Sequence, residues 1–453
     1  MKGAPEVTLA HCTEVISDGG VVPLDEETRD RILEDVGRLA SRAYRVLGFA
    51  FRTASASEIA EADDESLEAG LTFLGLQALI DPVRPEVPAA IDDCRRAGIR
   101  VLMATGDNPQ TARAIADELG LRTEQAACGP ELESLTDEEL RDRVRTTDVF
   151  ARVSPGHKVR ILSSLQESGH RVAMTGDGVN DAPALRAADV GVAMGKRGTD
   201  VAREAADLVL LDDNFATIRD AVEEGRGIFD NIRRFVTFLL SANVGEVLIV
   251  FLGVLLGAFL FPDITRGHPE SLVLTPAMLL WINLVTDGPP ALALGMDPRS
   301  PGVMNRPPRS REESVLDRQT VSLIVWIGVA LTLVGLGLYG LALGRGGDPV
   351  EARTMLFTFL VTAEMGVLSV IRWRSGLVPF SNYWLVAAVA VSLGLHLVIL
   401  YSPLADLFAV RAPTAGQWSW IGGATAAFVV LAWLGGRLFP VSRSSADHRD
   451  PAA

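Results

Sequence analysis

The chain has 453 residues, a formal net charge of −15 and 48% hydrophobic residues. A mean hydropathy of +0.25 is too apolar for an ordinary soluble protein, so part of the chain is expected in lipid. The acidic balance, with no segment of clustered Lys and Arg, excludes a nucleic-acid binder, which must neutralise phosphates.

The start, Met1-Lys2-Gly3-Ala4-Pro5-Glu6, has no apolar run behind it, and no cleavable signal peptide is predicted. To about residue 234, short apolar runs alternate with charged segments of helical period, the pattern of a soluble α/β protein. Cys12, Cys94 and Cys128 are scattered through this half without metal-ligand spacing, so neither a disulfide framework nor a zinc site is indicated, and the reducing cytosol is the expected setting. Two strand-then-loop units stand out. The run Ile99–Ala104 ends in Thr105-Gly106-Asp107 before a helical pattern over Thr111–Leu119. The run Val172–Met174 ends in Thr175-Gly176-Asp177-Gly178-Val179-Asn180-Asp181 before Ala182–Ala188. Loops at the carboxyl ends of parallel strands bind ligands in open α/β sheets. Here the glycines permit close backbone approach, Thr105 offers a hydroxyl, and Asp177 and Asp181 are hard oxygen ligands suited to Mg²⁺. Lys158, between the two loops, can neutralise a phosphoryl oxygen. A lone Thr-Gly-Asp is usually only a turn, but the ordered set of both loops and the lysine points to phosphoryl transfer.

From about residue 235 six apolar stretches follow, at 235–261, 277–296, 320–344, 353–371, 383–402 and 418–437, each near the ~20 residues that cross a bilayer as a helix. Arg233 and Arg234 precede the first span, Arg299, Arg306, Arg309, Arg311 and Arg318 fill the second connection, Arg372 and Arg374 the fourth, and Arg437, Arg443 and Arg449 follow the last. The opposite side has only Arg266, Arg345, Arg353 and Arg411. Basic residues are retained on the cytoplasmic side, so the N-terminal half and the C-terminus are both expected there. Ionisable groups inside spans are costly and mark function. Asn243 and Glu246 share a face of the first span, and Asn283, Thr286 and Asp287 stand at i, i+3 and i+4 in the second, where Gly288, Pro289 and Pro290 can open the helix and free carbonyls. Glu364 in the fourth span supplies a third carboxylate. This all-oxygen set suits Ca²⁺, or Mn²⁺, better than softer metals. The bland alternative is that these groups only bond helices together. The last two spans offer only hydrophobicity.

The loops around Thr105 and Asp177, with Lys158 between them, resemble the phosphorylation domain of P-type ATPases, a haloacid-dehalogenase-like (Rossmann-like) α/β fold, and Asp81-Pro82-Val83-Arg84 resembles its hinge. The resemblance implies that Thr105 and Lys158 meet the phosphoryl group, Asp177 binds Mg²⁺, and Asn180 and Asp181 support the acyl phosphate. It also implies ATP contacts from Lys2, Arg45 and Arg152, together with the Thr105-Gly106-Asp107 loop, Lys158 and Asn180. Ser241–Glu246 and Asn283–Gly288 are similar to the fifth and sixth helices of sarcoplasmic-reticulum-type calcium pumps. Glu364 matches that group's eighth-helix carboxylate, and Met304–Arg309 its cytoplasmic loop. The expected layout is a nucleotide-domain remnant over 1–70, a phosphorylation domain over 71–230, a six-helix all-α membrane domain over 231–440 and a cytoplasmic tail over 441–453, in a multi-pass protein of the plasma (inner) membrane.

The family's nucleophile sits in Asp-Lys-Thr-Gly. This sequence has only Lys2, Lys158 and Lys196, none after an aspartate, and no Thr-Gly-Glu. By resemblance the strand bearing the nucleophile is central to its sheet, and its neighbours would be left with open edges. The expectation is therefore a C-terminal fragment of an ATP-driven calcium transporter that is inactive alone, with ATP as substrate, Mg²⁺ as cofactor and Ca²⁺ as cargo. Two alternatives stand beside it: a half that assembles with a separately encoded N-terminal partner, and a non-catalytic membrane calcium-binding or regulatory protein. A soluble phosphatase of the same fold is disfavoured, since it needs the same nucleophile.

Overall fold

The computed structural model describes residues 1–17, 19–42, 44–55, 67–79, 82–260, 273–309, 314–346 and 348–440. Asp81, Arg266, Arg311, Arg443, Arg449 and the expected tail over 441–453 lie outside the described residues. The chain divides into two compact units, Met1–Arg219 and Asp220–Ala453.

The first unit opens with β1 (Lys2–Gly3), α1 (Pro5–Ala10), β2 (Cys12–Ser17), β3 (Gly20–Pro23), α2 (Glu26–Ala40), β4 (Arg45–Phe51) and β5 (Leu71–Leu79). These strands form one sheet in the order β1-β4-β5-β2-β3, antiparallel except where β2 runs parallel to β5. Cys12, Val15, Ala50, Leu71 and Phe73 point to one buried layer with Leu9 of α1. Asp25 starts α2 by accepting the Thr28 N–H at 2.8 Å, the usual satisfaction of an orphaned helix donor.

Then come α3 (Val87–Arg96), β6 (Met103–Ala104), α4 (Pro109–Glu118), β7 (Ala127–Cys128), α5 (Gly129–Ser134), α6 (Asp137–Thr146), β8 (Val149–Ala151), α7 (Pro155–Glu167), β9 (Ala173–Gly176), α8 (Ala182–Ala187), β10 (Val190–Met194), α9 (Asp200–Ala205) and β11 (Leu208–Leu210). They build two parallel three-stranded sheets, β6-β8-β7 and β11-β10-β9. β8 reads as a continuous apolar run because both its faces are covered. Its entry is pinned by Asp148, which accepts from Arg100 Nε at 2.6 Å and Arg122 Nε at 2.8 Å. Burial pushes the Asp148 carboxyl up, but hydrogen bonds from Arg122 and Arg100 and their charges outweigh it and hold it below the usual carboxylate range. The run from Ile99 yields a strand of only Met103–Ala104. The helix expected from Thr111 begins at Pro109, because Asn108 caps the Gln110 and Thr111 N–H groups. β6 and β9 each stand at an edge of their sheet.

The second unit is helical: α10 (Phe215–Leu260, which begins in the first unit), α11 (Pro276–Trp281), α12 (Gly288–Leu294), α13 (Arg318–Gly344), α14 (Pro349–Arg374), α15 (Tyr383–Tyr401), α16 (Leu404–Phe408) and α17 (Ala415–Leu438). A π-turn over Ile282–Thr286 joins α11 to α12. Among the described residues, six helical stretches are long and apolar enough to cross a membrane: α10, α11 to α12 taken together, α13, α14, α15 and α17. At 1.5 Å per residue the 46 residues of α10 run about 69 Å, roughly twice a hydrocarbon core. α14 is the innermost, with 83% of its apolar window buried. Gly245 lets α10 and α13 close up, since a Cβ there would stand 2.5 Å from Leu331.

Candidate functional site

The two glycine-containing loops after β6 and β9 are held by hydrogen bonds of their own segments. Thr105 donates its N–H to Phe150 O at 2.9 Å, and Val153 N–H returns to Thr105 O at 3.1 Å. Arg152 adopts a left-handed φ of 51° and bonds Asp107 O through its N–H at 2.9 Å, so the segment after β8 is stitched to the Thr105-Gly106-Asp107 loop. The Thr105 hydroxyl donates to the Asp107 carboxylate at 2.9 Å and accepts the Asp107 N–H at 3.1 Å.

In the second loop Asp181 is the organiser. One carboxylate oxygen accepts from Lys158 Nζ at 2.6 Å, and the other accepts the N–H groups of Asp177 at 3.2 Å and Gly178 at 3.3 Å. Glycine at 176 is what allows this, because a Cβ there would meet Asp181 Cβ at 2.4 Å. The loop's far side is held by Thr199, whose N–H bonds Asp177 O at 2.9 Å. The 196–199 segment is clamped in turn by Asp213, which accepts the Lys196 and Arg197 N–H groups at 2.9 Å each. Those backbone bonds, Lys196 first, hold the Asp213 carboxyl below the usual carboxylate range.

Lys158, Asp181 and Asp177 are thus brought together. Asn180 and Asp177 are exposed at the loop surface. Asp181's oxygens are engaged by lysine and backbone, which leaves the Asp177 carboxylate as the hard oxygen pair presented outward. An exposed carboxylate on a glycine-rich loop fits Mg²⁺ chemistry. Lys2 and Arg45 lie exposed on the neighbouring strands β1 and β4 of the five-stranded sheet.

Among the membrane helices three carboxylates converge. Glu246 of α10, Asp287 at the end of the π-turn and Glu364 of α14 each offer an oxygen, and these atoms all lie within 4.8 Å of one another. Relative exposures are 3%, 0% and 0%. Glu246 accepts from Asn283 Nδ2 at 2.7 Å. The other Glu246 oxygen and both oxygens of Asp287 and Glu364 are buried with no hydrogen-bond partner. Five carboxylate oxygens without donors are a large desolvation cost unless a cation collects them. Of the other expected groups, Asn283 touches the cluster through Glu246. Asn243 spends its amide on Leu239 O at 2.9 Å, and Thr286 donates its hydroxyl to Ile282 O at 2.9 Å. The helix does open where the glycine and prolines stand: Asp287 N–H bonds Ile282 O, five residues back, at 2.9 Å.

Two polar features escape the sequence reading. Arg234 and Arg372, taken there only as markers of orientation, flank the buried Asp297. Arg372 Nε donates to it at 3.2 Å, Asn382 Nδ2 donates at 2.8 Å, and Arg234 approaches to 3.7 Å. The fifth span, read as plain hydrophobicity, buries Ser392 and His396. No residue type distinguishes these positions. An Asp-Pro three residues after a span ends, and a Ser and His four apart within one, are the faint signals that were there.

Residues 1–86 match the family described as P-type ATPase, cytoplasmic domain N, and residues 271–438 match the one described as cation transporting ATPase, C-terminus. With the glycine-rich Asp177 loop and the intramembrane carboxylates between and within those segments, the chain belongs to the cation-transporting P-type ATPases and corresponds to their C-terminal portion. It is a multi-pass membrane protein. It is similar to the calcium-transporting ATPase of Bacillus subtilis, 43% identical over 94% of this chain and 47% of that protein. It is also similar to the endoplasmic reticulum-type calcium-transporting ATPase 4 of Arabidopsis thaliana, 36% identical over 92% and 46%. The probable cation-transporting ATPase F of Mycobacterium tuberculosis is 40% identical over 95% and 47%. The chain spans about half the length of the curated relatives it matches.

Proposed function

We propose that this chain is the cation-binding and phosphate-handling half of an ATP-driven Ca²⁺ transporter. The observation that carries the reading is the buried meeting of Glu246, Asp287 and Glu364, with oxygens within 4.8 Å and five of them without donors. Such a set holds a dehydrated divalent cation as cargo, with Asn283, Asn243 and Thr286 at its margin. On the soluble side, Lys158 and the Thr105 loop neutralise and orient a phosphoryl group, Asp177 holds Mg²⁺, which supplies charge neutralisation at the transferred phosphate when bound, and Asp181 positions both. Asn180 supports the phosphoryl site, while Lys2, Arg45, Arg152 and the Gly106-Asp107 backbone contact ATP. The layout in this reading is a nucleotide-domain portion over 1–70, a phosphorylation domain over 71–230 and a membrane domain over 231–440, with the soluble half and the C-terminus in the cytoplasm and the spans in the plasma (inner) membrane.

The sequence contains no Asp-Lys-Thr-Gly, so the chain by itself forms no aspartyl phosphate. The edges of β6 and β9 favour the reading in which a separate N-terminal segment pairs with this half, since an open parallel edge is a template for a further strand. The test is Ca²⁺ binding by the purified chain in detergent, abolished by Glu246→Gln. Binding that survives in Glu246→Gln refutes the site. Labelled ATP with calcium should leave no hydroxylamine-sensitive phosphate on the chain; restored labelling when an N-terminal half is co-expressed separates a split transporter from a calcium-binding protein without turnover.

A further inference from the structure

The opening of the helix at the cation site leaves an acceptor that neither the α-helical nor the π-helical pattern of its own helix can satisfy. Val285 lies in the π-turn, two residues before Asp287. In an α-helix its carbonyl would accept from residue 289, and in a π-helix from residue 290. Both are prolines and have no N–H. In a hydrocarbon core no water is at hand to replace the missing donor. The donor comes from another helix. Ser392 of α15, fully buried, donates its hydroxyl to Val285 O at 3.2 Å.

One turn further along the same face of α15, buried His396 places Nε2 3.2 Å from Thr358 Oγ1 and stacks edge-on against Phe357 with ring centroids 4.8 Å apart. Thr358 is on α14, six residues before Glu364. At the start of α15, Asn382 donates to Ala293 O at 2.8 Å near the end of α12. One helix that contributes no carboxylate therefore grips two of the three helical segments that build the cluster, and its Ser392 contact falls on the orphaned carbonyl.

We propose that Ser392 is a positioning residue for the cation site: its hydroxyl takes the Val285 carbonyl that Pro289 and Pro290 leave without a donor, and so sets where the π-turn presents Asp287. His396 fixes α14 against the same helix, which holds the spacing of Asp287 and Glu364. The inference rests on the cation-site reading above. It needs no contact between Ser392 and the ion, so its signature is a change in affinity that follows the hydroxyl and not the size of the side chain.

The experiment is equilibrium binding of radioactive Ca²⁺ to the full chain, purified in detergent, for wild type, Ser392→Ala, Ser392→Thr and Glu246→Gln. Helical content and unfolding temperature in calcium chelator are recorded for each. We expect Ser392→Ala to weaken binding about tenfold, the effect of a buried acceptor losing its donor, and Ser392→Thr to stay within about threefold of wild type because it keeps the hydroxyl. Should the alanine variant fail to fold, Ser392→Cys, close in size and a weak donor, takes its place and should fall between wild type and Glu246→Gln. Equal affinity of the alanine and wild-type chains, or equal loss in the alanine and threonine variants, while Glu246→Gln abolishes binding, overturns the role of Ser392 alone. Wild-type affinity in Glu246→Gln overturns the cation site and this inference with it.

Discussion

Replacing Glu364 by glutamine keeps the shape of the cluster and removes one of its three charges. The ligand oxygens lie within 4.8 Å of one another, so each ionised pair repels by about 3.5 kcal/mol at an effective dielectric of about 20. With all three carboxylates ionised, two such pairs disappear in Glu364→Gln, relieving at least about 7 kcal/mol of repulsion in the cation-free protein. A divalent ion about 2.4 Å from the lost charge forfeits about 14 kcal/mol of attraction on the same scale. The difference, about 7 kcal/mol, is an upper bound, because relaxation of the site and added water trim it toward the roughly 3–5 kcal/mol seen when a buried charge pair is broken. Calcium affinity should therefore fall about 10²–10⁴-fold. Unfolding of the same variant in chelator should move the other way, to higher temperature, because the empty site has lost its internal repulsion. The assay is radioactive-calcium binding beside thermal unfolding followed by circular dichroism. A variant that binds calcium within threefold of wild type, or that unfolds earlier in chelator, refutes the reasoning.

Two further outcomes follow from the first unit, Met1–Arg219. Gly176→Ala would put a Cβ 2.4 Å from Asp181 Cβ, so Asp181 must move and its bond to Lys158 breaks; we expect a loss of about 1–3 kcal/mol in denaturant unfolding of this unit, and no loss would show that the loop is not closed by Asp181. For Asp148 the sign is set by its depressed folded-state pKa. Its contribution is fully present above the ordinary aspartate range and is lost as pH falls through the lower folded value. Asp148→Asn should cost about 2 kcal/mol at neutral pH, and its deficit relative to wild type should shrink on acidification below about pH 4; a deficit constant with pH would count against the Arg100–Asp148–Arg122 pairing as its source.

Much of this protein could be read along the chain. The six spans were legible because crossing a bilayer demands a length of apolar residues, a one-dimensional property. The Thr105 and Asp177 loops were legible because glycine, threonine and aspartate fall within a few residues of one another directly after an apolar run. The opening of the second span was legible too, since Gly288-Pro289-Pro290 cannot continue a regular hydrogen-bond ladder. Even the carboxylates announced themselves, as charges where lipid tolerates few.

What the linear pattern left open was settled by which side chains face one another. Glu246, Asp287 and Glu364 are separated by tens of residues, and only the packing of α10, the π-turn and α14 brings their oxygens within 4.8 Å. Asn243 and Thr286 look equivalent to Asn283 by spacing, yet both turn back to carbonyls of their own helix while Asn283 reaches Glu246. Asp181, by type as suited to a metal as Asp177, accepts from Lys158 and two backbone N–H groups. Ser392 and Asp297 carry only faint local signals: a serine in an apolar helix and an aspartate after one acquire meaning from an orphaned carbonyl and two arginines contributed by distant segments. Residue type and period determine which solvent a segment prefers and what chemistry it can offer; hydrogen bonds between segments far apart in the chain decide which of those offers are taken up.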